Sequence, residues 1–152
     1  MSNIFKVKTY KLSKEEFLET FRKVPRVGIS LLITKENQVL LTKRKEDPLK
    51  DFWHLPGSFI FKNEAVKECI RRVLKEELGF TNNVTYELEF LSEDLDEDPR
   101  GHVINLIYKV KISEDSVLKA VGRTKEFEYF EKIPDKIGFG HGDVLRKLGF
   151  GL

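Results

Sequence analysis

Most of the chain consists of short runs in which apolar and polar residues alternate. In the first run Val27, Ile29, Leu31 and Ile33 recur at every second position, which is typical of a β-strand. The same pattern predicts two strands joined by a turn at KENQ within residues 26–45, a bent pair of strands at 52–61, and single strands at 83–93, 102–112 and 126–133. Helical stretches interrupt this order, so the pattern indicates a layered domain of the α/β class.

The first helical stretch lies ahead of the first strand. Ser13 and Glu16 have the spacing of a capping box, in which each residue satisfies a backbone N–H of the other. Phe17 and Phe21 follow on one face, and a proline comes directly after the stretch. We therefore predict a short N-terminal helix over about 13–24.

A second, longer helix is predicted from an N-cap at Asn63 to Leu78, with Gly79 at its C-terminal end. A third, short helix is expected at HGDVLRKLGF, residues 141–150. No repeat or low-complexity segment divides the chain, so residues 1–152 are interpreted as a single domain, which is a common size for one hydrophobic core.

Composition excludes several classes of partner. The chain has 27 basic and 25 acidic residues and a net charge of +2, which is too balanced to indicate a nucleic acid or a membrane surface. A single cysteine, Cys69, excludes an internal disulfide and fits a reducing cytosol, so a cytoplasmic location is expected. No apolar run approaches the roughly 20 residues of a membrane span.

The second helix carries carboxylates beside an apolar stripe. At about 100° per residue, Glu76 and Glu77 lie one turn beyond Val73, on either side of its line, and Arg72 lies on the neighbouring face. An ordinary solvated face is one interpretation. However, an unpaired carboxylate is costly beside apolar residues, and the Pro-Gly-Ser turn ahead of the helix can direct a backbone carbonyl to the same place. Such hard oxygen ligands suit Mg²⁺.

Residues 57–80, GSFIFKNEAVKECIRRVLKEELGF, resemble the Nudix box, GX5EX7REUXEEXGU, in which U is apolar. Two defining positions depart from it, because Ser58 replaces the glycine and Val73 replaces a glutamate. The lead-in LLTKRKEDPLKDFWHLPG is also similar to the family's. The stretches DPRGHVINLIYKV and IPDKIGFGHGDVL are similar to the ADP-ribose pyrophosphatase branch. The resemblance covers most of the chain from Arg26 onward.

The resemblance implies a Nudix-type α/β/α sandwich around a mixed β-sheet. It also implies hydrolysis of a nucleoside diphosphate linked to another group, such as an ADP-ribose-like or nucleotide-sugar substrate, with Mg²⁺ or Mn²⁺. The implied metal ligands are Glu76, Glu77 and the carbonyl of Gly57, and Arg72 and Glu64 would orient them. By the same analogy the protein would form a homodimer.

Val73 leaves the box without its third carboxylate, and three interpretations stay open. In the first, Glu126 or the acidic loop at 93–98 supplies the carboxylate from elsewhere. In the second, the chemistry resembles that of the GDP-mannose mannosyl hydrolase branch, which also has an apolar residue after the box arginine, and His102 acts as the base. In the third, the domain binds a nucleotide without hydrolysing it.

Several other residues are candidates for substrate binding. Arg44 ends a strand that faces the expected cleft and Arg100 lies in a turn, and a guanidinium group suits phosphate because it can bind two oxygens at once. His102 is counted with them. His141 matches a histidine of the ADP-ribose branch, with helix capping or packing as the alternative. Trp53 is assigned to the core.

Overall fold

The computed structural model describes residues 9–151, and within them eight strands and three helices are assigned. In chain order these elements are α1 (Lys14–Lys23), β1 (Arg26–Leu32), β2 (Thr34–Lys35), β3 (Gln38–Arg44), β4 (Trp53–His54), β5 (Gly57–Phe59), α2 (Val66–Leu78), β6 (Thr85–Asp94), β7 (Val103–Lys111), β8 (Thr124–Phe130) and α3 (His141–Lys147).

The strands form two sheets. The first has the order β5–β1–β7–β6 and is mixed, because β1 and β7 are parallel whereas β5 and β6 are antiparallel to their neighbours. In the second, β3 pairs antiparallel with β2, β4 and β8. The predicted α/β class and mixed sheet are confirmed. The predicted bent strand pair is present as β4 and β5, and the bend between them carries the chain from one sheet to the other.

Two apolar cores lie on opposite faces of the strands, since neighbouring residues of one strand belong to different cores. One core joins α2 to Ile29 and Leu31 of β1, and the other joins α3 to Leu32 of the same strand. Strand β1 is therefore covered on both faces, as central strands of such layered folds are. This arrangement places α2 and β5 next to each other at one end of the first sheet.

Helix α1 begins as predicted, because Ser13 Oγ accepts from the Glu16 N–H and Glu16 Oε1 accepts from the Ser13 N–H, both at 3.2 Å. The prediction of Asn63 as the cap of α2 is wrong. The N-cap is Ala65, whose N–H donates to Glu68 Oε2 at 3.1 Å, and Asn63 lies in a turn with a φ of 65°. The Glu64 carboxylate accepts from the Phe61 N–H and so stabilises a turn over residues 61–64, directly before the helix.

Helix α1 packs on β5 through aromatic rings. Phe17 and Phe21 lie 5.5 and 5.3 Å from the ring of Phe59, and the guanidinium groups of Arg26 and Arg100 lie over the same rings. Aromatic pairs in these geometries and cations over rings are both stabilising. Within residues 9–151, no helix is both long enough and apolar enough to cross a membrane.

Candidate active site

A buried ion pair connects α2 to the segment before it. Arg72 Nε and Nη2 donate to the two carboxylate oxygens of Glu64, at 2.7 and 3.0 Å. The same guanidinium donates to Ser58 Oγ at 3.0 Å and to the Phe59 carbonyl at 3.1 Å. The side chains of Glu64 and Arg72 are only 5% and 16% exposed. This arginine therefore holds α2 against β5 at a fixed distance.

Both members of this pair are charged at neutral pH. Burial by itself would raise the pKa of Glu64, but the hydrogen bond from Arg72, the hydrogen bond from the Phe61 N–H and the positive charge of Arg72 together outweigh it, so the pKa lies below its ordinary value. Burial would likewise lower the pKa of Arg72, and the Glu64 carboxylate raises it instead. A bidentate, charge-assisted pair of this kind is geometrically specific as well as strong.

Glu77 projects from α2 towards the beginning of β5. Its Oε2 accepts a hydrogen bond from the Gly57 N–H at 2.8 Å, and it forms no ion pair with any residue in 9–151. Burial raises the pKa of Glu77 to about 8, and the negative charge of Glu76 adds to this, while the Gly57 N–H and Arg44 oppose it. When it is ionised, a carboxylate at this position can serve as an oxygen ligand for a hard divalent cation.

Gly57 can lie this close to strand β1 only because it has no side chain. A Cβ atom at this position would lie 2.6 Å from the Ile29 carbonyl oxygen and 3.0 Å from Ser30 Oγ, both on the adjacent strand β1. Ser30 and Gly57 are opposite each other in the β1–β5 pairing. The close approach of two backbones thus fixes the position of the N–H that Glu77 uses.

Glu76 differs from Glu77 in its surroundings. Its side chain is 60% exposed and its Oε2 lies 3.4 Å from Arg72 Nη1. The predicted cluster therefore consists of an exposed carboxylate, Glu76, which contacts Arg72, and a half-buried carboxylate, Glu77, which contacts the Gly57 N–H at the start of β5. Among residues 9–151 no three His, Cys, Asp or Glu side chains are grouped to hold a metal ion. A cation here would rely on two carboxylates, backbone oxygen and water, a donor set that suits Mg²⁺.

Val73 is not directed at an empty ligand position. Its side chain is 1% exposed and belongs to the core formed by α2, β1 and β3. The sequence predicted that a carboxylate at this position would join Glu76 and Glu77, but the same stripe that carries Val73 also carries Ile70 into the core. The apolar residue is therefore part of the packing of α2.

The alternative sources of a carboxylate have other contacts. Glu126 Oε1 lies 3.4 Å from Lys43 Nζ across the β3–β8 pair, and its side chain is 53% exposed. In the acidic loop, Asp94 accepts hydrogen bonds from the N–H groups of Asp96 and Glu97, and Asp98 pairs with Arg100. These bonds stabilise the loop itself.

The two predicted phosphate ligands lie close to the same aromatic ring. The Arg44 guanidinium lies 5.1 Å and the Arg100 guanidinium 5.7 Å from the ring centre of Phe139. Phe139 has a φ of 61°, a conformation that is unfavourable for a bulky residue and that points to a local structural or functional requirement. His102 directly precedes β7, and its carbonyl accepts from the Arg26 N–H at 3.0 Å.

Phe139 was missed by sequence reasoning, although two flanking glycines in GFGHG signal an unusual backbone there. Trp53 lies in the core as predicted. Cys69 is buried, and burial raises the pKa of its thiol to about 12, which keeps it in the unreactive thiol form.

Comparison with known proteins shows the family to which the chain belongs. Residues 23–147 match the NUDIX domain family, and the chain belongs to it. It is 36% identical over 140 residues to an ADP-ribose pyrophosphatase of Methanocaldococcus jannaschii, an alignment that covers 90% of this chain and 81% of that protein. Relatives of this kind identify the chain as a Nudix-type hydrolase.

Solved structures show the same fold. A MutT/nudix family protein from Enterococcus faecalis aligns with a TM-score of 0.69 at 26% identity, over 90% of this chain and 68% of that one. The NUDIX domain of Shewanella oneidensis NrtR, solved in a complex with ADP ribose, aligns with a TM-score of 0.68 at 18% identity, over 90% and 97% of the two chains. At that identity the second similarity concerns the fold.

The buried ion pair leads to a stability prediction. Arg72→Ala leaves the Glu64 carboxylate buried without its partner, so we expect the free energy of unfolding to fall by about 3 kcal/mol. Arg71→Ala is the matched control, because the neighbouring Arg71 is exposed and bonds only to the exposed Asn83; its effect should stay within about 0.5 kcal/mol. Urea unfolding measures both, and equal effects would contradict the assignment.

The pKa of Glu77 predicts how the stability of the metal-free protein depends on pH. Unfolded glutamate titrates near 4.5 and folded Glu77 near 8, so the folded state holds a proton that the unfolded state has lost between these values. The stability contributed by this group should therefore fall as pH rises from about 5 to 8. Glu77→Gln should remove this part of the pH dependence, as the difference between the two unfolding curves would show. Parallel curves would contradict it.

The burial of Val73 leads to a different expectation from that of a missing ligand. Val73→Glu places a charge in the core, and in a chelator we expect it to lower the free energy of unfolding by at least about 3 kcal/mol. Val73→Gln is the control of equal size without the charge. If the new carboxylate reaches a cation, Mg²⁺ should restore stability to the Glu variant more than to the Gln variant. Equal responses would show that position 73 cannot contribute a ligand.

Proposed function

We propose that this protein hydrolyses a nucleoside diphosphate linked to a second group, in a reaction that depends on a divalent metal ion. The observation that carries the proposal is the buried Arg72–Glu64 pair, which holds α2 so that Glu77 contacts the Gly57 backbone and Glu76 lies beside it. A purely structural helix has no need to place a half-buried carboxylate at a backbone turn without a cationic partner.

The residues present fit a hard divalent cation, Mg²⁺ or Mn²⁺. Glu76, Glu77 and the carbonyl of Gly57 would hold it, and the cation would supply charge neutralisation at the diphosphate and a bound water of lowered pKa. Metal binding requires Glu77 to be ionised. Because its pKa is about 8 in the metal-free protein, binding should release close to one proton near neutral pH.

The other residues of the site would bind and orient the substrate. Arg44 and Arg100 place two guanidinium groups beside Phe139, and their positive charge suits the diphosphate. Asp98 accepts two hydrogen bonds from Arg100, at 3.0 and 2.9 Å, and these bonds fix the plane of the Arg100 guanidinium. Arg72, itself held by Glu64, would position Glu76. His102 remains a candidate for substrate binding or for the catalytic base. Glu126 remains a candidate for the third carboxylate.

ADP-ribose is the first substrate to test. The M. jannaschii relative, which this chain matches over most of its length, is an ADP-ribose pyrophosphatase. On this proposal the products are AMP and ribose 5-phosphate, because water would attack one phosphorus atom and the other phosphate would leave. The nucleotide-sugar candidates share the diphosphate and differ in the group beyond it and, for GDP-mannose, also in the base.

The test is a panel of ADP-ribose, GDP-mannose, NADH, diadenosine polyphosphates and nucleoside triphosphates, each with Mg²⁺ or Mn²⁺, with products separated by chromatography. We expect ADP-ribose to be cleaved to two monophosphates and EDTA to abolish the reaction. Release of free mannose from GDP-mannose would indicate attack at sugar carbon instead. Tight binding of a nucleotide without turnover would contradict the proposal.

Variants on α2 test the assigned ligands. Glu77→Gln should lower kcat/KM by about 100-fold or more, since it removes a charged ligand at the metal. Glu68→Gln is the control on the same helix. Its carboxylate is an exposed acceptor for the Ala65 N–H, so its loss should change kcat/KM by no more than about 2-fold. A similar loss in both would show that the helix, rather than the site, had been damaged.

A further inference from the structure

A chain of buried polar side chains lies behind the turn that carries Gly57. The Leu55 N–H donates to His141 Nδ1 at 2.9 Å, His141 Nε2 lies 3.3 Å from the Asn105 side-chain amide, and that amide contacts Ser30 Oγ at 3.0 Å. All three side chains are buried. They belong to three different elements, α3, β7 and β1, and they meet at the Leu55–Gly57 turn.

The first hydrogen bond determines the tautomer of His141. A backbone N–H can only donate, so His141 Nδ1 must carry a lone pair. Burial lowers the pKa of His141 to about 4, so the ring is neutral at neutral pH and its one proton is on Nε2. The Nε2 atom is therefore a donor that faces Asn105.

This tautomer also determines the orientation of the Asn105 amide. The amide is placed with Nδ2 facing His141 Nε2 at 3.3 Å and with Oδ1 accepting from Ser30 Oγ at 3.0 Å, which would put two donors together at His141. An Nε2–H donor therefore requires the amide to be turned by 180°, so that Oδ1 faces His141 and Nδ2 donates to Ser30 Oγ. With this orientation, each hydrogen bond in the chain has one donor and one acceptor. Ser30 Oγ in turn lies where a side chain on Gly57 would be, 3.0 Å from the position of a Cβ atom.

Resting on the function proposed above, we propose that His141 is a positioning residue, which as the neutral Nε2–H tautomer holds both ends of the Leu55–Gly57 turn and thereby places the Gly57 backbone against Glu77. It acts on one end through the Leu55 N–H and on the other through Asn105 and Ser30. The N–H from which Glu77 accepts belongs to Gly57, the second of these ends. No contact of His141 with the substrate is required.

The tautomer is tested in the unaltered protein, without a substrate. Nitrogen-15 NMR of the histidines should show Nδ1 of His141 without a proton and Nε2 with one, at pH 7. The Nε2 proton should exchange slowly because it is buried and bonded. A proton on Nδ1, or a charged ring at pH 7, would overturn the proposal, and this measurement remains decisive if a variant fails to fold.

The positioning role of His141 is tested by hydrogen exchange of the Gly57 amide. Because this amide does not contact His141, a change in its exchange must be transmitted through the turn. His141→Phe keeps a ring but removes both hydrogen bonds. Val144→Ala is the control, because it loosens α3 in the same core without touching the polar chain. At matched global stability, we expect Gly57 to exchange about 10-fold faster in His141→Phe than in Val144→Ala. Equal exchange in the two variants would overturn the proposal.

Asn105→Leu separates the two supports. It cuts the path to Ser30 and leaves the bond between His141 and the Leu55 N–H, so Gly57 should lose protection while Leu55 keeps it. Loss at both amides to the same degree would show general loosening of the fold and would count against two separate supports. If both amides keep their protection from exchange, Asn105 does not support the turn.

Activity provides a readout that a purely structural histidine would not give. With ADP-ribose we expect His141→Phe to lower kcat by about 10-fold with KM changed by less than about 3-fold, as is found when the support of a metal ligand is removed. Val144→Ala should keep the wild-type kcat. If no substrate is hydrolysed but the tautomer and exchange results are as expected, the proposed function fails and the positioning role of His141 stands. If hydrolysis is found and kcat is unchanged in His141→Phe, the positioning role fails and the function stands.

Discussion

The arrangement of the site depends on one guanidinium group. Arg72 is on α2, but its shortest hydrogen bonds go to Glu64, Ser58 and the Phe59 carbonyl, all of which precede the helix. The helix therefore cannot rotate or slide relative to β5 without breaking a charge-assisted, bidentate pair. Everything that Glu76 and Glu77 can do chemically follows from this fixed relation, because they are separated from Arg72 by about one helical turn.

Much of this local arrangement could be predicted from the sequence because its partners are close together in the chain. Glu64, Arg72, Glu76 and Glu77 lie within one segment of 14 residues. Helical periodicity places Glu76 one turn beyond Arg72, and Glu77 on the adjoining face. The end of α2 at Gly79 was equally predictable, because its φ of 63° favours glycine. Short-range rules were sufficient for these features.

The remaining features depend on pairing between distant segments, for which the sequence has no local signal. Ser30 and Asn105 are 75 residues apart and Leu55 and His141 are 86 apart, yet their bonds support the same turn. Asn63 shows a different limit. Asparagine is a good capping residue by type, but the N-cap is Ala65, two residues later than the capping preference of Asn63 indicates. Glu64, between the two, is bonded to Arg72. Likewise, only the three-dimensional packing shows that Val73 belongs to the core rather than to the ligand set.

Helix α1 has a relation to the site that its position in the chain does not suggest. The family match begins at residue 23, whereas α1 spans Lys14–Lys23, so this helix lies almost wholly outside the shared domain. Its Phe17 and Phe21 nevertheless pack on Phe59, two residues after Gly57, and both rings lie under Arg100. Changes in α1 can therefore alter the surroundings of Phe59 and Arg100 while residues 23–147 keep their own sequence. The surroundings of Arg100 can thus change through a segment that the family match does not include, without any change in α2.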